Sequence, residues 1–154
     1  MTNYTGGAAD NSWTITPVDG TSIVDGNGGT DSLLIDWSAL NNVQYGSWGT
    51  SLGYAFVATS DRSVTAYDIE RLALLFGGGN DYFEVRNNAI VSLDGGGGSD
   101  HFDAHFTSSN ANISFVLNPT AGTTSTFVNQ GTTIRNVERV SISTGSGNDS
   151  LTGG

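Results

Sequence analysis

Gly95-Gly96-Gly97-Gly98-Ser99-Asp100-His101-Phe102-Asp103 matches the nonapeptide G-G-x-G-x-D-x-U-x at every specified position, where U is a large apolar residue. The spacing describes a sharp turn that runs at once into a short strand. Glycines take backbone angles that a Cβ resists, and the apolar U points into a core. The Asp lies between turn and strand. With peptide carbonyls turned toward the same point, its carboxylate offers part of a hard-oxygen cage, the donor set Ca2+ prefers and softer metals do not.

Four further stretches carry the same phrase less completely. Gly26-Asn27-Gly28-Gly29-Thr30-Asp31-Ser32-Leu33 has Asn at the second position. Phe76-Gly77-Gly78-Gly79-Asn80-Asp81-Tyr82-Phe83 and Thr144-Gly145-Ser146-Gly147-Asn148-Asp149-Ser150-Leu151 each lack the first glycine. Gly6-Gly7-Ala8-Ala9-Asp10-Asn11-Ser12-Trp13 places Asn11 where the Asp belongs, and Gly153-Gly154 reads as the start of another copy. Gly-Asp sequences are good turn formers in their own right. Turn preference alone does not explain why glycine, Asp and apolar residue keep one phase through five copies.

These residues resemble the repeats-in-toxin (RTX, haemolysin-type) calcium-binding family. The resemblance implies an all-β chain wound as a right-handed parallel β-roll, with Gly-rich calcium turns stacked on one another; the long windings depart from the simple family roll and are read as carrying inserted β-hairpins. It implies metal ligands at Asp31, Asp81, Asp100 and Asp149 with the turn glycines Gly26, Gly28, Gly77, Gly79, Gly95, Gly97, Gly145 and Gly147, and a neutral ligand at Asn11. It also implies a secreted bacterial parent exported by a type I system, with folding on Ca2+ outside the cell. With all five turns in one column, four gaps and about four ions are expected.

Acidic residues outnumber basic ones 15 to 5, the net charge is -10, and lysine is absent. Nucleic acid and anionic membrane surfaces need a cationic face, so neither is an expected partner. A cation is. Without cysteine there is no disulfide frame and no thiolate zinc site. No apolar run is long enough to span a membrane, and the N-terminus lacks the regions of a cleaved signal. The unfinished last repeat is read as a piece of a longer parent chain whose adjoining repeats are partners.

From Asn11 to Asp31 is 20 residues, then 50 to Asp81, 19 to Asp100 and 49 to Asp149. A short winding thus alternates with a long one. The repeat is a module of about 70 residues, giving one domain over 1–154 with modules at about 11–80 and 81–148 and a third beginning at 149–154. Ile69-Glu70-Arg71-Leu72 and Val137-Glu138-Arg139-Val140 stand in matching phase. The short windings place a second, degenerate turn near Asp19-Gly20 and Asn87-Asn88. In the long ones, Leu52 to Thr59 and Ser63 to Tyr67 read as a hairpin around Ser60-Asp61-Arg62, and Ile113, Phe115 and Leu117 alternate in the corresponding place. No segment of ten or more residues keeps a 3.6-residue period.

Other residues admit two readings. Asp25 and Asp94 either orient the turns or complete a cage, or are solvated turn-entry residues, and Glu70 and Glu138 are expected to pair at strand ends with Arg71 and Arg139. His101, Asp103 and His105 share one strand face and could ligate a transition metal, against the plainer reading of an outer polar face. Trp37, Tyr45, Trp48, Tyr54 and Phe56 either fill a core beneath the hairpin or form a platform for sugar rings. The favoured function is a non-enzymatic calcium-dependent structural module. A carbohydrate-binding or adhesive module binding extracellular glycan is the alternative, and a β-helix enzyme acting on polysaccharide ranks last, since there is no lysine and no recurring arginine-carboxylate groove.

Overall fold

The computed structural model describes residues 1–17, 20–49, 54–86, 90–118, 120–128 and 131–153. Leu52 of the expected hairpin, Asp19, Asn87 and Asn88 of the degenerate turns, and Gly154 lie outside them. The described residues form strands and turns with no helix. In order the strands are β1 (Thr2–Thr5), β2 (Ser12–Ile15), β3 (Gly20–Asp25), β4 (Ser32–Asp36), β5 (Tyr45–Gly49), β6 (Tyr54–Ala58), β7 (Arg62–Tyr67) and β8 (Arg71–Leu75). There follow β9 (Tyr82–Arg86), β10 (Ile90–Asp94), β11 (His101–His105), β12 (Ser114–Val116), β13 (Thr124–Thr126), β14 (Thr133–Arg135), β15 (Arg139–Ser143) and β16 (Ser150–Thr152).

Two larger sheets and one small one result. The first runs β1-β3-β7-β6-β5-β9-β11-β15, the second β13-β14-β10-β8-β4-β2, and β12 pairs with β16. Among the described residues the class is therefore all-β, with mixed sheets and no closed barrel. Most pairs are parallel, and parallel neighbours cannot be joined by a tight hairpin. Between them the chain crosses to the other sheet, from β3 to β4, from β7 to β8 and from β8 to β9. The exception is the meander β5–β6–β7, antiparallel throughout, which realises the expected hairpin as β6 against β7. β13 lies antiparallel to β14 in the equivalent place, and Ser114 bridges Val128.

Strand alternation builds the core. Leu33, Leu72 and Val91 lie in one register across β4, β8 and β10, and Ile35, Leu74, Leu93 and Ile134 in the next. All seven are buried. From the first sheet Phe83, Val85, Phe102 and Ala104 face them, also buried. The apolar position two past the Asp thus points inward at Leu33, Phe83 and Phe102, is half-buried at Trp13, and is 46 % exposed at Leu151.

The expected single column of five turns is not what forms. At the edge where the chain leaves the first sheet for the second, Gly6–Asn11 lies beside Gly26–Asp31, and these beside the short turn Asp68–Glu70. Gly28 N–H donates to Gly7 O at 3.1 Å and Gly26 N–H to Tyr67 O at 3.0 Å. On the opposite edge Leu40–Gln44, Phe76–Asp81, Gly95–Asp100 and the short turn Asn136–Glu138 stack, with Gly97 N–H on Gly77 O at 2.7 Å. Gly145–Asp149 forms a third stack with Ser109–Asn112, Ser146 N–H reaching Ser109 O at 3.2 Å. The reason is parity. Between β3 and its counterpart β10 the chain crosses an odd number of times, so the second copy begins on the opposite sheet. β4 and β11, β7 and β14, and β8 and β15 exchange sheets in the same way.

Candidate metal centre at the stacked turns

Each Asp of the motif sits where its turn becomes a strand, and its carboxylate takes the backbone amide of the rung before it. Asp31 Oδ1 accepts from Asn11 N–H at 2.7 Å, Asp81 Oδ1 from Gln44 N–H at 2.7 Å, Asp100 Oδ1 from Asp81 N–H at 2.8 Å and Asp149 Oδ1 from Ile113 N–H at 2.9 Å. A second ladder runs one residue earlier: Thr30 N–H donates to Asp10 Oδ1, Ser99 N–H to Asn80 Oδ1 and Asn148 N–H to Asn112 Oδ1. Every turn is thereby stapled to its neighbour, so one turn's order depends on the next.

The other carboxylate oxygen is the unusual one. Asp31, Asp81 and Asp100 are 1 %, 3 % and 2 % exposed, and the Oδ2 of each has no hydrogen-bond partner among the described residues. An unpaired buried carboxylate oxygen is costly unless a cation or proton meets it. At Gly95 a Cβ would stand 2.6 Å from Asp100 Oδ2 and also run into the Asn136 carbonyl. At Gly26 it would stand 2.5 Å from Asp31 Oδ2 and run into the Asp68 carbonyl. The missing side chain leaves a cradle onto which one carboxylate oxygen and one peptide oxygen of the next rung converge. At Gly6 the same place is shared by Asn11 Oδ1 and Gly26 O.

Burial is the main cause of a strong shift at two of these groups. It pushes Asp81 up to about 6, against the amide of Gln44, which lowers it. Asp100 is pushed up to about 7, again first by burial; the Asp81 amide opposes this, and the charges of Asp81, Glu138 and Asp94 add to it. The field at Asp100 is thus that of a site short of positive charge.

Sequence reasoning misplaced Glu70 and Glu138. Instead of serving the adjacent arginines, Glu70 Oε2 takes Asp31 N–H at 2.6 Å and Glu138 Oε2 takes Asp100 N–H at 2.7 Å. They occupy the Asp place of two abbreviated turns, Asp68-Ile69-Glu70 and Asn136-Val137-Glu138. Asp68 and Asn136 both have positive φ, 51° and 49°. The matched phase of Ile69-Glu70 and Val137-Glu138 was the available signal, since 39 residues from Asp31 to Glu70 is about twice the 20 from Asn11 to Asp31. Gly29 and Gly98, each with φ 122°, carry the conformation only glycine adopts readily, whereas Gly97 has open space around it. Asn27, at φ 62°, fills the left-handed place of Gly96, and Asn is among the few other residues that tolerate it.

Asp25 and Asp94 orient turns: Asp25 Oδ1 accepts Asn27 N–H, and Asp94 holds Gly96 N–H, Arg135 and Asn136. His101, Asp103 and His105 share the outer face of β11 but do not converge. His101 Nε2 meets Ser141 Oγ at 2.8 Å, while His105 Nε2 lies 3.3 Å from Asp103 and 3.8 Å from Glu84. Among the described residues no three His, Asp or Glu side chains gather as a metal-binding group. The oxygen sets at the Gly26 and Gly95 cradles are of another kind, a single carboxylate with a backbone carbonyl. That donor chemistry fits a hard divalent cation.

Fold and site together define an all-β protein whose strands are tied by buried, half-satisfied aspartates at stacked turns. No family model, no curated protein and no solved structure matches this chain.

Proposed function

We propose that this chain is a calcium-binding structural module of the RTX type, a parallel β-roll without enzymatic activity that belongs to a secreted bacterial protein and orders on Ca2+ after type I export. The observation that carries the reading is the unpartnered Oδ2 of Asp31, Asp81 and Asp100, each nearly fully buried. Bound Ca2+ supplies positive charge and takes carboxylate and carbonyl oxygens together. The chain's residues hold those oxygens in place and exclude competing donors. Adjoining repeats of a longer parent chain are the structural partners in this reading.

Circular dichroism in excess chelator, then titrated with Ca2+, tests it. A disordered spectrum that converts to β on titration is expected, because Gly-rich turns have high chain entropy and unpaired carboxylates oppose closure. A β spectrum indifferent to chelator ends the proposal.

A second reading, binding of extracellular glycan, rests on the outer face of the first sheet. Trp37 and Trp48 are core residues, but Tyr45, Tyr54 and Tyr67 are 47 %, 41 % and 41 % exposed. The Tyr54 and Tyr67 rings lie 5.5 Å apart, and Tyr45 lies 6.3 Å from Phe56. Across the same face Ser47 of β5 lies between Phe56 of β6 and Glu84 of β9. A glycan array run with Ca2+ present separates this reading from the purely structural one.

A further inference from the structure

Resting on the calcium reading above, we infer that the chain holds two equivalent tight centres, one per repeat and on opposite edges of the fold. Each lies between a full turn and an abbreviated turn. The first is made by Asp31 Oδ2 and the Asp68 carbonyl, the second by Asp100 Oδ2 and the Asn136 carbonyl.

Three independent observations separate these two turns from the others. Both begin with a glycine, Gly26 and Gly95, whose missing Cβ leaves the cradle shared by the unpartnered carboxylate oxygen and the next rung's carbonyl. Both have the same backbone: positive φ at the second position, Asn27 and Gly96, and φ 122° at the fourth, Gly29 and Gly98. Both face a turn of identical form, with Asp68 and Asn136 left-handed and Glu70 and Glu138 accepting the amide of the ligand-bearing Asp.

The remaining turns fail on named points. At Asp81 the first position is Phe76, which puts a Cβ where Gly26 and Gly95 have none, and the next rung is a full turn. At Asp149 that position is Thr144, and Asp149 is only half-buried. At Gly6 the geometry recurs, but Asn11 brings no charge and its Oδ1 is engaged by Gly7 N–H at 3.0 Å. Glu70 and Glu138 are positioning residues. They fix the turn from which the carboxylate projects and do not need to touch the ion.

Native mass spectrometry and calorimetric Ca2+ titration of the full chain test this. Two tight ions are expected for the parent and one each for Asp31→Asn and Asp100→Asn, in which the near-isosteric amide keeps the Oδ1 acceptor. Asp81→Asn and Asp149→Asn are expected to retain both. Glu138→Ala should weaken one of the two sites about tenfold or more, as loss of a group that orients a ligand does, while Glu138→Gln, which keeps an acceptor for Asp100 N–H, restores it. Four tight ions in the parent, or loss of an ion in Asp81→Asn with none lost in Asp31→Asn, overturns the two-centre assignment and leaves the calcium reading standing. No bound Ca2+ in the parent overturns both.

Discussion

A single methyl group distinguishes alanine from glycine, and at Gly95 it falls between Asp100 Oδ2 and the Asn136 carbonyl. The Asn136 carbonyl is backbone and the Asp100 side chain is held through Oδ1 by Asp81 N–H, so Gly95→Ala is expected to cost about 1–3 kcal/mol, the usual range for overpacking. Gly97→Ala, two residues on in open space, should stay within about 0.5 kcal/mol. Chemical denaturation of both variants at saturating Ca2+ checks the contrast. The aspartates set the pH dependence of the ion-free protein. The unfolded carboxyls release protons near 3.8, whereas folded Asp81 and Asp100 hold theirs to about 6 and about 7. Folding therefore loses stability as pH rises from about 4 to about 7 and levels above that. Circular dichroism in chelator across this window should show β content falling toward the disordered spectrum expected at neutral pH, and β content that rises contradicts the assignment. Ca2+ favours the ionised form, so the loss should be greatly reduced when the ion is present.

At the scale of elements, the short parallel strands draw their stability from the apolar registers between the sheets. Leu74 of β8, fully buried between Ile35 and Leu93, anchors one such register. Leu74→Ala should cost about 2–5 kcal/mol in a denaturant titration, with the number of bound ions unchanged at saturating Ca2+. The meander has two faces with different duties. Its inner residues Trp48, Ala55, Val57, Val64 and Ala66 complete the core, while Tyr54 and Tyr67 stand outside. Tyr54→Ala is expected to leave stability within about 0.5 kcal/mol of the parent. Any glycan bound on this face should be lost with it, which the array reads directly.

For the whole molecule, the proposed calcium binding and the closure of the sheets are expected to be one process, because the stacked turns join one rung to the next. Each rung's carboxylate grips the amide of the rung before, so order is expected to propagate from turn to turn along a stack. Asp100→Ala removes the grip on Asp81 as well as a ligand, and should shift the calcium midpoint for folding strongly and lower its steepness. His101→Ala with His105→Ala, on the outer face, should leave that midpoint within a few tenths of a kcal/mol. Circular dichroism against Ca2+ for both variants measures this, and equal shifts would place the ion on the histidine face.

Much of this was legible in one dimension. The five Gly-Asp phrases located the turns, the apolar residue after each Asp named Leu33, Phe83 and Phe102 as core, and the spacing of hydrophobic residues around Ser60 located the hairpin. These are local properties of turn and strand, decided by φ preference and alternation. Which turns meet is not local. Glycine spacing counts residues but not crossings between sheets, so Gly26–Asp31 and Gly95–Asp100 look like neighbours in one column and stand on opposite edges. For the same reason Glu70 and Glu138 read as strand-end charges until the fold brings their carboxylates to the amides of Asp31 and Asp100. Only the closed structure sets one turn's carbonyl against another's aspartate, because that contact joins residues 37 and 36 positions apart at Asp31–Asp68 and Asp100–Asn136.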